Sequence, residues 1–164
     1  MKKFTILNKK SKKIEENIQE SPTKTISVNP DVNVLQEQTS CVKFFSKLFE
    51  SKEMAHVYHL QVKGDEGSYS SHIALGEFYE KMPELIDELI EVYMGQYDVV
   101  EGYDVIDTNV SRDLNPLEYF MGIGEFIKSE RYSSLDESDT HIQSIVDEIL
   151  NCVFRLTYKL KYNK

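Results

Sequence analysis

The chain reads as an all-α protein, a four-helix bundle with one long crossover connection, preceded by an extended N-terminal arm. Three observations lead there. Four stretches repeat apolar residues at spacings of three and four, the period of a helix with one buried face. The links within the first and second pairs of stretches are short, whereas the link between the pairs runs over 96–114, too long for a tight antiparallel turn. Residues 1–38, MKKFTILNKKSKKIEENIQESPTKTISVNPDVNVLQEQ, hold no sustained period and are broken by Pro22 and Pro30, so they read as the arm. With 164 residues and 40% hydrophobic content, the remainder, 39–164, suffices for one domain with a core of its own.

The first helix is expected over 40–62, capped by Thr39 or Ser40, with Cys41, Phe45, Leu48, Ala55 and His59 inward and Phe44 and Phe49 widening the stripe. Lys63, Gly64 and the polar residues through Ser68 end it. The second helix, reaching about residue 95, carries Leu75, Phe78, Met82, Leu85, Leu89 and Tyr93 on one face. Pro83 lies inside it and predicts a local irregularity, because an interior proline costs about 3 kcal/mol. In the 96–114 link, a short helix is expected around 103–110. Asn115, Pro116 and Glu118 then form a helix start, with a cap, a proline at the first position and an acid at the third. The third helix turns Leu117, Phe120, Ile123, Gly124 and Ile127 inward to about residue 131. The fourth, over 138–161, has Ile142, Ile145, Ile149, Cys152, Leu156 and Leu160, backed by Val146 and Val153. Two antiparallel pairs joined by one long crossover is ferritin-like connectivity.

Charge divides the chain. Residues 1–24 hold seven lysines and three glutamates, while 25–164 hold 12 basic and 25 acidic groups within a net charge of −9. An acidic body disfavours nucleic acid on its surface, but a lysine arm reaches phosphates: Lys2, Lys3, Lys9, Lys10, Lys12 and Lys13 are the candidate contacts. The apolar residues Phe4, Ile6, Leu7, Ile14 and Ile18 also fit an arm that docks on a larger assembly such as a virion. Cys41 and Cys152 sit in helical patterns without CxxC spacing and read as reduced core thiols. No apolar run approaches the ~20 residues of a membrane span, so a soluble cytoplasmic protein, or one within a virion or infected cell, is expected.

Chemistry concentrates between His59 and Glu91. His59 and His72 flank the first link, so an antiparallel hairpin brings their rings together. Asp87 and Glu91 are one turn apart on one helical face and can offer oxygens to one cation. By themselves, with Glu80, Glu84 and Glu88 on the same helix, they are an ordinary solvated acidic face. His72 and Asp87 are about 60° apart around the helix but roughly 22 Å apart along it. One chain therefore cannot place all four on one ion. Two copies packed antiparallel across a twofold axis bring the histidine end of one helix against the acidic end of the other and create two composite sites. A mixed nitrogen and oxygen donor set suits Fe(II) or Zn.

His59-Leu60-Gln61-Val62-Lys63-Gly64 resembles the His-Trp-Asn-Val-Lys-Gly segment of the Dps proteins, the DNA-binding proteins from starved cells, and the onward spacing to His72, Asp87 and Glu91 is similar too. The resemblance spans residues 40–161. It implies a ferritin-like bundle, a homo-oligomer built on twofold dimers with twelve copies in a hollow shell, and ferrous iron oxidised by peroxide or dioxygen at sites shared by two subunits. His59 and His72 would be ligands from one subunit, Asp87 and Glu91 from its mate, and the lysine arm would bind the DNA that iron removal protects. The chain departs from that pattern at Leu60, which stands in place of Trp, at Gly76, where a carboxylate is expected, and after Glu91, where no Arg follows. It thus resembles a distant member, of the kind carried by phages or their hosts. The contrasting expectation is a structural or interaction protein that keeps the bundle and dimer and binds no metal.

Overall fold

A computed structural model describes residues 30–62, 69–108 and 115–162, with side chains from residue 40 onward. Four helices appear in order, α1 (Pro30–Gln61), α2 (Tyr69–Gln96), α3 (Pro116–Ser134) and α4 (Thr140–Tyr162), and no strand occurs among the described residues. The apolar stripes become the core. Phe44, Phe45 and Leu48 of α1, Leu75, Met82 and Leu89 of α2, Phe120 and Ile127 of α3, and Ile142, Val146 and Ile149 of α4 are sealed from solvent.

α1 packs on α2 and α3, and α4 packs on the same two, so α1 and α4 stand on one diagonal and α2 and α3 on the other. Side-chain pairs fix the directions. Phe45 meets Tyr93 and His59 meets His72, so α1 and α2 are antiparallel. Phe44 meets Phe126 while Tyr58 meets Tyr119, so α1 and α3 are antiparallel as well. α2 and α3 therefore run the same way, and the rings of Phe78 and Phe120 touch across the diagonal, centroids 5.0 Å apart. The chain must travel the length of the bundle between them. The crossover does so along α1: Asp104 N–H donates to Ser46 Oγ at 3.0 Å, and the Tyr103 ring packs edge-on to Phe49.

Three local expectations change. α1 begins at Pro30, ten residues ahead of the expected start, so the part of the expected arm from residue 30 to 38 is helical backbone. Proline at the first helical position lacks only an N–H that no helix would bond, and its φ is already helical; no Gly or Pro follows before Gly64. The expected cap Ser40 instead lies inside the helix, its hydroxyl donating to Ser133 O at 3.1 Å. α2 runs unbroken through Pro83. The proline is exposed while Met82, Leu85, Ile86 and Leu89 are buried, and at roughly 1.5–3 kcal/mol per buried apolar side chain that face outweighs one lost helical bond. Residues 103–108 form no helix, and 109–110 lie outside the described residues. Gly102 takes φ +79°, a left-handed turn that interrupts any helix, and Val99, Val100 and Val105 favour extended backbone.

The start of α3 follows its sequence signals. Asn115 Oδ1 accepts from Leu117 N–H at 2.9 Å, with Pro116 at the first helical position. At the other end Arg131 is buried yet fully engaged: Nε donates to Gln143 Oε1 at 2.8 Å, Nη2 to Gln143 O at 3.0 Å and Nη1 to Asp147 Oδ1 at 2.6 Å. Gln143 Nε2 in turn donates to Asp136 O at 3.0 Å. A guanidinium in the core is tolerated only while its N–H groups are met.

Two outcomes follow from this packing. Gln143→Leu strips an acceptor from a buried cation and lowers stability by about 2–3 kcal/mol, whereas Asp147→Asn, at an exposed position, changes it by less than about 1 kcal/mol; urea titrations compare the two. Tyr119 donates from Oη to Glu50 Oε1 at 3.0 Å, and burial, then the Glu50 carboxylate, push its phenol far above the ordinary 10.0. Its folded form thus keeps the proton after the unfolded chain has lost it, so the stabilisation is complete below pH 10 and drains away above it. Tyr119→Phe is expected to flatten the alkaline fall of stability by about one proton, read from unfolding free energies measured across that range; an unchanged slope contradicts it.

Candidate metal centre

The candidate residues are set by the antiparallel meeting of α1 and α2. His59 lies in the last turn of α1 and His72 in the first turn of α2, on either side of the 63–68 link, which lies outside the described residues. Their rings stack with centroids 3.7 Å apart and planes inclined by 24°. Each ring also reaches the other residue's backbone: His59 Nδ1 lies 2.8 Å from His72 O, and His72 Nδ1 lies 3.1 Å from His59 O. A carbonyl oxygen can only accept, so each Nδ1 carries the proton. In the neutral ring this leaves Nε2 bare, and a backbone carbonyl on Nδ1–H is the usual way a metal-binding imidazole is oriented.

Gly76 explains how His59 fits. A Cβ built there would lie 3.4 Å from both Cε1 and Nδ1 of His59, a close van der Waals contact, so Gly76 packs directly against the ring. Two further rings extend the cluster. Tyr79 sits edge-on to His59 at 5.2 Å and stacks on His56 at 4.6 Å. His72, Gly76 and Tyr79 follow the 4-3 spacing of one helical face, and His56 precedes His59 by three, so this grouping was open to sequence reasoning. The part played by Tyr79 was not drawn from it.

Asp87 and Glu91 occupy the outer face of α2 near its far end, both exposed. The structure therefore pairs the two histidines and, one turn apart, the two acids, and leaves roughly 22 Å of helix between the pairs. Among the described residues no group of three or more His, Cys, Asp or Glu lies close enough to hold a metal ion. Exposed apolar side chains flank the histidines in sequence: Leu60 is 71% exposed, Tyr69 80% and Ile73 40%. His141 is exposed at the start of α4, away from this cluster. Lys2, Lys3, Lys9, Lys10, Lys12 and Lys13 lie outside the described residues. Cys41 is buried, and Cys152 is half-buried with its thiol pushed up by desolvation. No described helix is long and apolar enough to cross a membrane.

Comparison with known proteins places this hairpin in a wider group. Residues 59–160, from the first candidate histidine to the last turn of α4, match a family of unknown function, DUF5856. No curated protein and no solved structure matches the chain. The match covers well over half of the sequence and takes in His59, His72, Asp87 and Glu91 together, and the chain belongs to the DUF5856 family.

Proposed function

We propose that the protein is a Dps-like, ferritin-like homo-oligomer that binds ferrous iron and oxidises it at sites shared by two subunits, thereby protecting DNA from peroxide chemistry. The observation that carries this reading is the histidine pair, with both Nδ1 atoms committed to backbone carbonyls and both Nε2 atoms left as donors. The crossover that makes α2 and α3 run parallel agrees with ferritin-like connectivity. Leu60, Tyr69 and Ile73 offer apolar surface beside the donors, which suits a second copy better than water.

In the proposed dimer two copies of α2 lie antiparallel across the twofold axis. The imidazoles of His59 and His72 hold Fe(II) from one side, and Asp87 and Glu91 of the mate close the site from the other. Neutral nitrogens tolerate Fe(II) without excess negative charge, and the carboxylates favour the higher charge of Fe(III). Peroxide or dioxygen takes the electrons. The excess of acidic groups in the body attracts the cations that feed such a site.

A second reading has its own support. Gly76 removes one carboxylate from the pattern and fills its place with the His59 ring, which fits a structural or interaction protein, such as a virion-associated assembly component, that keeps the bundle without the chemistry. Stopped-flow absorbance after mixing anaerobic protein, Fe(II) and peroxide separates the two. The iron reading expects oxidation at least about 100-fold faster than in buffer, with His72→Ala and Asp87→Ala each losing a factor of about 10–100; rates equal to buffer select the structural reading.

The lysines of residues 1–24 supply the proposed DNA contact. Six phosphate contacts give a slope of about −5 in log affinity against log salt. A gel-shift series over salt measures it, and binding that ignores salt removes the arm from the function.

A further inference from the structure

A cavity of about 780 Å³ opens at the end of the bundle away from the histidines, between the Cys41 turn of α1, the start of the crossover and the α3–α4 turn. Small-molecule sites typically have about 300–1,000 Å³. Its wall is one-sided in charge. Tyr93, Tyr97 and Tyr132 line it together with the carboxylates Asp98, Glu101, Asp136 and Glu137, and no Lys, Arg or His occurs among the described lining residues.

Much of this wall is held in place before any ligand arrives. The Tyr93 ring packs edge-on to buried Phe45 at 5.4 Å, and Tyr97 lies 4.7 Å from Tyr93. Tyr97 Oη donates to Asp139 Oδ2 at 2.5 Å, while the Gln96 amide donates to Oδ1 at 2.8 Å. Asp136 accepts from the hydroxyl and the N–H of Ser138, which hold its carboxyl below the ordinary range and keep it charged at neutral pH. The nearby cation, Arg131, has its guanidinium 5.0 Å from the Tyr132 ring, but its charge is met by Asp147 at 2.6 Å.

The lining selects among ligand classes. Anions meet four carboxylates and no cationic side chain among the described lining residues, with hydroxyls, those of Ser133 and Ser134 among them, left to donate. A bare metal ion finds no three donors close enough to bind it among the described residues. A cation with an apolar body gains from the carboxylate field and from contact with the phenol rings and the Leu135 side chain that line the cavity. We propose that this cavity binds an organic cation, an alkylammonium or guanidinium group on an apolar body. The proposal is independent of iron chemistry at the other end of the bundle. The same chemistry has two sources, a free amine or a lysine side chain, and residues 1–24 contain seven lysines.

Calorimetric titration of the full chain with benzyltrimethylammonium, against neutral benzyl alcohol, tests it. Saturable binding of the cation, absent for the alcohol, is expected, and Tyr132→Ala or the pair Asp98→Asn with Glu137→Gln should weaken it roughly tenfold each. All three positions are exposed, and circular dichroism and the melting temperature are expected to stay those of the native chain. A full chain with Lys2, Lys3, Lys9, Lys10, Lys12, Lys13 and Lys24 all changed to Gln distinguishes the sources: tighter binding of the probe means that these lysines compete for the cavity, and unchanged binding assigns it to an amine from outside residues 1–24. Equal affinity for cation and alcohol, or equal affinity in the folded variants, overturns the proposal.

Discussion

The fixed rise of an α-helix, about 1.5 Å per residue, governs this molecule at both scales. It makes α2 long enough that its two chemically distinct ends, the histidine end and the acidic end, never meet within one chain. It also sets the task of the crossover. Because α2 and α3 run parallel on a diagonal, the chain leaving Gln96 must return the length of the bundle before α3 can start at Pro116. The described part of that return, residues 97–108, forms no helix, and Gly102 turns it at φ +79°. The expected short helix would have shortened the reach of the segment where reach was needed.

What could be read beforehand follows from which signals are periodic. The stripes of α2 and α4 repeat at three and four residues with few interruptions, and Leu75, Phe78, Met82, Leu85 and Leu89, like Ile142, Ile145 and Ile149, are buried as their spacing requires. Asn115 caps α3 because its side chain and the following proline leave the backbone little alternative. The start of α1 carries the same Asn-Pro pair, Asn29 and Pro30, as the start of α3, but no apolar stripe over residues 30–38 marks the helix that follows it. Arg131 was not anticipated as a core residue, although it continues the spacing of Ile123 and Ile127 by one further step of four. A charged residue at a core position is ambiguous until its partner is known, and Gln143 lies on another helix.

The histidine pair shows the same limit in sharper form. Sequence spacing brings His59 and His72 together, yet it does not reveal that each ring is held by the other's backbone, since that depends on how closely two helix ends approach. Gly76 read as a missing ligand. In the structure it lies directly against the His59 ring. The two readings have different consequences, because an absent carboxylate weakens a metal site, whereas a histidine oriented through Nδ1 strengthens its remaining donor.

The central claim is that two chains complete each site, and mixing two disabled chains tests it most directly. Protein carrying His72→Ala is unfolded and refolded together with an equal amount carrying Asp87→Ala, and ferrous oxidation is measured by absorbance. In a twofold dimer, a mixed pair has one site that has lost both halves and one with both intact. With random pairing the mixture should recover about a quarter of the native activity, while each variant refolded alone recovers close to none. A mixture no more active than its components would contradict a site shared between subunits.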